Sequence, residues 1–169
     1  MKVREICSLE VRSCRPDSNL ATAASIMWEQ DCGVVPVVNE KNRILGVVTD
    51  RDICMAVATR PLLASQITVG QVLSGKPLFC RLDDDIKAAV RTMTTSAVRR
   101  LPVLNEAGEL AGVLSVTDLV LAAKDAKVAR HGDLTWTDTI PMIEAICRPR
   151  AAKVTAPVDE KPILAVAHA

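Results

Sequence analysis

The chain repeats itself at a fixed spacing, the 66 residues that separate Cys14 from Cys80, and this self-similarity limits its fold more than any other feature. Cys14-Arg15 returns as Cys80-Arg81, Asp17 as Asp83, Ala23 as Ala89 and Met27 as Met93. Pro36-Val37 returns as Pro102-Val103, Asn39-Glu40 as Asn105-Glu106, and Gly46-Val47 as Gly112-Val113. No gap is needed from Lys2 to about Val57. A period of this length means one supersecondary unit copied twice, and two such units are expected to pack about a pseudo-twofold axis. The expected organisation is repeat 1 over 1–57, a linker over 58–67 containing Arg60-Pro61, repeat 2 over 68–124, and a tail over 125–169 with a short helix.

Within a copy the pattern predicts β-α-β-β-α, so the chain is read as α/β. Val3–Ile6 and Val69–Val72 look like short helical lead-ins, and Val11–Cys14 like a short strand. Asp17 and its mate Asp83 are the expected helix caps. The first helix then carries Leu20, Ala23, Ala24 and Met27 on one face, and the second Ile86, Ala89, Val90 and Met93, at spacings of three and four. Val34–Val38 and Leu101–Leu104 are almost wholly apolar, as strands buried on both faces are. Polar turns at 39–42 and 105–108 lead into strands at Ile44–Val48 and Leu110–Leu114, and helices follow to about Ala58 and Lys124. The run Asp83-Asp84-Asp85 is read as capping and favourable charge at a helix start rather than as metal ligands.

The most chemically suggestive stretch is also repeated. Gly46-Val47-Val48-Thr49-Asp50-Arg51-Asp52 recurs as Gly112-Val113-Leu114-Ser115-Val116-Thr117-Asp118. Each places a hydroxyl where a strand becomes a helix and an acid three residues later. That is the capping-box pattern, in which hydroxyl and acid satisfy each other's backbone amides and bind nothing. The same groups also suit a nucleotide. Free amides and a hydroxyl at a helix start seat a phosphate, and an Asp one turn on can accept from ribose hydroxyls. Gly46 and Gly112 leave room for a ligand or another backbone to approach. The strands bearing Val34-Val35 and Arg100-Leu101 would sandwich a base between aliphatic side chains.

These residues carry a resemblance. Val35-Pro36-Val37-Val38 followed by Gly46–Asp52, and Leu101-Pro102-Val103-Leu104 followed by Gly112–Asp118, resemble a tandem cystathionine-β-synthase (CBS) domain pair, or Bateman module, over roughly residues 1–124. The resemblance implies a non-enzymatic regulatory module that binds AMP, ADP, ATP, NAD or S-adenosylmethionine between the repeats, with no cofactor required. It implies a homodimer acting on a separate partner protein. By position it implies Asp52 and Asp118 on ribose, Thr49 and Ser115 on phosphate, and Val35 and Leu101 against adenine, with Val34, Pro36 and Pro102 beside them. Arg51 would add a cation at the phosphate. The second copy departs, with Thr117 in place of Arg51, while Arg99-Arg100 replace Gly33-Val34. Two unequal sites are therefore expected, the Thr49–Asp52 turn having the fuller motif.

Composition removes other classes. Formal net charge is +1, which supplies no field for nucleic acid or acidic lipid. With no Tyr, one Phe and two Trp, the chain lacks the aromatic platforms of single-strand binders. The high apolar fraction fits either a self-associating surface or a dense core. Six cysteines form no C-x-x-C pair, and both His residues lie in the last third, so no zinc set is expected. They read as reduced thiols of a cytoplasmic protein. The first ten residues interleave charges with apolar residues, unlike a secretory leader, and no run of about 18 apolar residues suggests a membrane span.

No Ser/His/Asp or Cys/His constellation and no phosphate loop of the G-x-x-x-x-G-K type is present, so an enzyme using the cleft ranks below a sensor or a ligand-free interaction scaffold. In the tail, Thr139 is the expected cap of a helix with Pro141 early in it. Trp136 is expected to pack this segment on the module or on a second subunit. Ile163–Val166 is the candidate for one more strand.

Overall fold

The computed structural model describes residues 1–73, 77–125 and 127–149; the candidate strand at 163–166, with Pro157 and Pro162, lies outside them. Two near-identical halves are built on antiparallel strand pairs. In the first, α1 (Leu20–Glu29) precedes β1 (Val34–Val38), β2 (Ile44–Thr49) and α2 (Asp50–Thr59). In the second, β3 (Cys80–Arg81) and α3 (Ile86–Ser96) precede β4 (Arg100–Leu104), β5 (Leu110–Ser115) and α4 (Val116–Ala122). A last helix, α5 (Trp136–Cys147), follows. The registers correspond: Val34 pairs with Thr49 as Arg100 pairs with Ser115. Both ladders also shift at the same place, between Val37 and Val38 in one half and between Val103 and Leu104 in the other.

The helix faces read from periodicity form two cores. Leu20, Ala23 and Met27 join Val35, Val37 and Val48 in one, and Ile86, Ala89, Val90 and Met93 join Leu101, Val103 and Leu114 in the other. Ala24 is only half-buried, and Ile26 takes the core position instead. Each fully buried aliphatic side chain contributes roughly 1.5–3 kcal/mol.

The lead-ins change places. Val3, in a single 3-10 turn (Val3–Glu5), is fully buried in the core of the second half. Val69, in the matching turn (Val69–Gln71), is buried in the core of the first. Backbone bonds fix the exchange reciprocally: Val3 and Arg4 donate to the carbonyls of Asp84 and Leu82, and Val69 and Gly70 to those of Ser18 and Pro16. Neither half can therefore complete its core without a segment that precedes the other in sequence.

Four local expectations are corrected. The helix caps are Asn19, whose Oδ1 accepts from the Thr22 amide at 2.8 Å, and Asp85, which accepts from the Lys87 amide at 2.9 Å. Asp17 and Asp83 lie two residues too early, because the chain first makes a turn closed by Ser18 N–H to Arg15 O, or Asp84 N–H to Arg81 O. Asp83 instead pairs with Arg4 at 2.5 Å and so anchors the exchanged lead-in. The strand expected over Val11–Cys14 contracts to a single parallel bridge between Cys14 and Val37, where its mate makes a two-residue strand, β3, on β4. The tail helix starts earlier than Thr139, which is fully buried inside it; Thr135 is the cap. Helix α5 packs on α3 and α4 and buries Met142, while Trp136 stays 42% exposed.

Candidate functional site

Both repeated turns adopt the geometry their hydroxyl and acid dictate. Thr49 ends β2 in an extended conformation (φ −114°, ψ 161°), and Ser115 ends β5 almost identically (φ −116°, ψ 162°). The Thr49 amide and hydroxyl donate to Asp52 Oδ2 at 2.9 and 2.7 Å, and the Asp52 amide donates back to Thr49 Oγ1 at 3.2 Å. The Ser115 amide and hydroxyl donate to Asp118 Oδ2 at 2.7 Å each, and the Asp118 amide returns a bond of 3.2 Å. Both carboxylates receive these bonds on Oδ2, which leaves Oδ1 as the oxygen that can accept from a ligand hydroxyl.

A third turn of the same kind went unread in the sequence. Thr135 donates through its amide and hydroxyl to Asp138 Oδ2 at 3.0 and 2.7 Å. Lys87 pairs with the same carboxylate at 3.1 Å. Burial raises the Asp138 pKa, but the bonds from Thr135 and Lys87 outweigh it and hold it below the usual carboxylate value. This turn caps α5 and lines none of the cavities described below, so the hydroxyl-x-x-Asp pattern alone makes a cap and not a site.

A hollow of about 510 Å³ beside the Thr49 turn is lined by Gly33, Asp50 and Ile53 but by none of Thr49, Arg51 and Asp52, while against the Ser115 turn lies a cavity of about 310 Å³. That volume lies at the small end of ligand pockets. Ser115, Thr117 and Asp118 form one side. Arg100 stands directly across the ladder from Ser115, so the cation missing from position 117 is supplied by the neighbouring strand. Val34 reaches the same cavity from the first half, which makes the space an inter-repeat one. The remaining wall is the chain between Ser8 and Arg12 together with Ile26 of α1 and the residues just beyond that helix, Gln30, Asp31 and Cys32.

Five of the expected site residues, Val34, Arg100, Ser115, Thr117 and Asp118, therefore meet at one cavity. Thr49, Arg51 and Asp52 do not line it; they stand at the equivalent turn of the first half. Val35, Pro36, Leu101 and Pro102 are buried within the strands and line none of this space. Arg99 does not line it either; its carbonyl accepts from the Val116 amide at 3.0 Å. Glu10, Arg12, Gln30 and Asp31 were missed. Nothing in the repeat pointed to them, since Arg12 corresponds to Leu78 and Asp31 to Ala97.

The glycines explain how the wall closes. A Cβ on Gly112 would lie 2.5 Å from the Ser8 carbonyl oxygen. That approach is needed because Ser8 and Val113 exchange backbone bonds of 3.0 and 2.9 Å. At Gly46 the near neighbour is instead a methyl of Leu73, at 2.7 Å. The close partner at both positions is thus the protein itself.

Burial disfavours the thiolate form of three cysteines near these elements. Burial pushes Cys14 up to about 11, and burial with the nearby Asp84 carboxylate pushes Cys80 up to about 12. Cys7 is raised by burial and by Asp118. Among the described residues no group of His, Cys, Asp or Glu could hold a metal ion, and no helix is long and apolar enough to cross a membrane.

The CBS domain profile matches this chain twice, over residues 3–59 and 69–125. Hypoxic response protein 1 of Mycobacterium tuberculosis is 28% identical over 148 residues, spanning 88% of this chain and 95% of that one. The crystal structure of hypoxic response protein I with two coordinated zinc ions superposes with a TM-score of 0.66 at 26% identity, covering 73% of this chain and all of that one. A CBS domain protein of Pyrobaculum aerophilum complexed with AMP superposes with a TM-score of 0.64 at 26% identity, covering 70% of this chain and 90% of that one. A homoserine O-acetyltransferase of Methanococcoides burtonii is 32% identical over 117 residues, which are 69% of this chain and 23% of that protein.

Proposed function

Because this chain belongs to the CBS domain family, with two copies of the domain, we propose that it is a regulatory adenine-nucleotide sensor. The carrying observation is the cavity at the Ser115 turn, where groups from both halves converge. Asp118 Oδ1 accepts from the ribose hydroxyls. Ser115, Thr117 and Arg100 receive the phosphate, and Val34, Ile26 and Val113 flank the base. The cavity's size and the acids Glu10 and Asp31 on its wall favour a short anionic tail, so AMP is the preferred candidate over ADP, ATP, NAD or S-adenosylmethionine. The AMP complex of the Pyrobaculum relative supports this choice.

The turn at Thr49, Arg51 and Asp52 is proposed as a second, weaker or differently selective seat. The protein acts without catalysis, as a cytoplasmic homodimer that signals to a partner in trans. Ligand can shift the packing of the two halves only by binding one arrangement better than another. A scaffold reading, in which these turns are caps alone, draws its support from the Thr135 turn, which has the same bonds to its acid and does not line the Ser115 cavity. A thermal-shift series with AMP, ATP, NAD and S-adenosylmethionine separates the two. AMP at 100 times its dissociation constant stabilises the fold by about 2.7 kcal/mol, whereas the scaffold shows no shift with any of them.

A further inference from the structure

A second arginine, Arg12, lines the Ser115 cavity, and no repeat motif contains it. We propose that Arg12 is a specificity-determining residue that takes the 5′-phosphate of a nucleoside monophosphate alongside Arg100, and that Glu29 holds it in reserve until the ligand arrives. This rests on the nucleotide reading of the same cavity.

Arg12 lines the cavity, yet its guanidinium is engaged by Glu29, the last residue of α1. Glu29 is not part of the lining, so the partner that engages Arg12 lies outside the cavity. Both side chains are about half exposed, at 50% and 53%. An ion pair this open to water is weak, and a guanidinium gains more from the planar, two-point contact a phosphate offers. Exchange of a carboxylate for a phosphate is therefore downhill once a phosphate stands between Arg12 and Arg100.

The pair is private to this site. At the repeat-equivalent positions the chain has Leu78 and Thr95, which cannot form it. The Ser115 turn also lacks a cation of its own, having Thr117 where the first copy has Arg51. Arg12 and Arg100 make good that loss from two different directions, the chain leading out of the exchanged lead-in and the neighbouring strand. Glu10 and Asp31, on the same wall as Arg12, oppose negative charge beyond the first phosphate.

The test is equilibrium binding of AMP and of adenosine, which lacks the phosphate, to the full chain and to three variants. Glu29→Gln frees Arg12 and tightens AMP by about two- to fivefold, the range an exposed pair allows, with adenosine unchanged. Arg12→Gln weakens AMP roughly tenfold, as loss of a hydrogen bond to a charged group does, again sparing adenosine. In the double variant the gain from Glu29→Gln disappears. AMP binding that is unmoved or weakened by Glu29→Gln overturns the reserve role. Equal losses for AMP and adenosine in Arg12→Gln overturn the phosphate contact and leave Arg12 a structural residue. If neither compound binds the wild type, the nucleotide reading itself fails and takes this inference with it, an outcome distinct from the other two.

Discussion

The turns at Thr49 and Ser115 have the same backbone angles within a few degrees and the same three hydrogen bonds, yet they sit in different chemical company. Thr49 faces Val34 across its ladder and keeps a cation, Arg51, in its own turn. Ser115 faces Arg100 and has Thr117 in that place. The turn geometry is dictated by hydroxyl and acid alone, as the third example at Thr135 demonstrates. Charge and shape at each site come from what the adjoining strand and the exchanged lead-in bring to it. Duplication preserved the geometry of the turn while its charged surroundings diverged.

That contrast can be broken most forcefully at the two glycines. Gly112→Ala drives a methyl into the Ser8 carbonyl and must peel the 8–12 segment from β5, costing about 1–3 kcal/mol. Gly46→Ala meets only the flexible end of Leu73 and should cost less than about 1 kcal/mol. Urea denaturation of the two variants measures the gap, and equal losses would mean that the two walls are built alike. Next in size is Arg100→Ala, expected to weaken AMP about tenfold through loss of a charge-assisted bond. Val34→Ala, which removes no charge, should weaken AMP less. Calorimetric titration with AMP and ATP on the same variants also tests the short-tail preference, which predicts that wild type binds AMP more tightly than ATP.

Smaller effects separate cap from site. Asp138→Ala should destabilise the fold by about 1 kcal/mol, the usual cost of a lost cap, and leave AMP affinity unchanged. The smallest is a pH effect of the same carboxylate. Its folded pKa lies below the ordinary 3.8, so its stabilisation is present above that value and is lost as pH falls through the lower folded one. Urea midpoints taken from about pH 5 down to about pH 2 should fall more steeply for wild type than for Asp138→Asn.

Much of this architecture could be read from residue order. The constant offset placed the elements in two equivalent sets, and spacings of three and four found seven of the eight expected helix-core positions, Ala24 being the exception. The exchange of Val3 and Val69 between cores was not legible, because a one-turn amphipathic segment looks the same whichever core receives it. The Thr135 cap was hidden by Pro141, which drew the helix start toward Thr139, although it stands well inside the helix. Arg12 was invisible for a different reason. Its contact with Glu29, 17 residues away, is one that its counterpart Leu78 cannot make.

Titration calorimetry of AMP into wild type, Asp118→Ala and Asp52→Ala measures directly whether the Ser115 cavity is the principal nucleotide seat, as proposed. Each variant loses one capping carboxylate, so their folds are weakened about equally and the comparison is fair. The expected result is that Asp118→Ala abolishes the tightest AMP binding while Asp52→Ala retains it. Tight AMP binding that survives Asp118→Ala and vanishes in Asp52→Ala would contradict it.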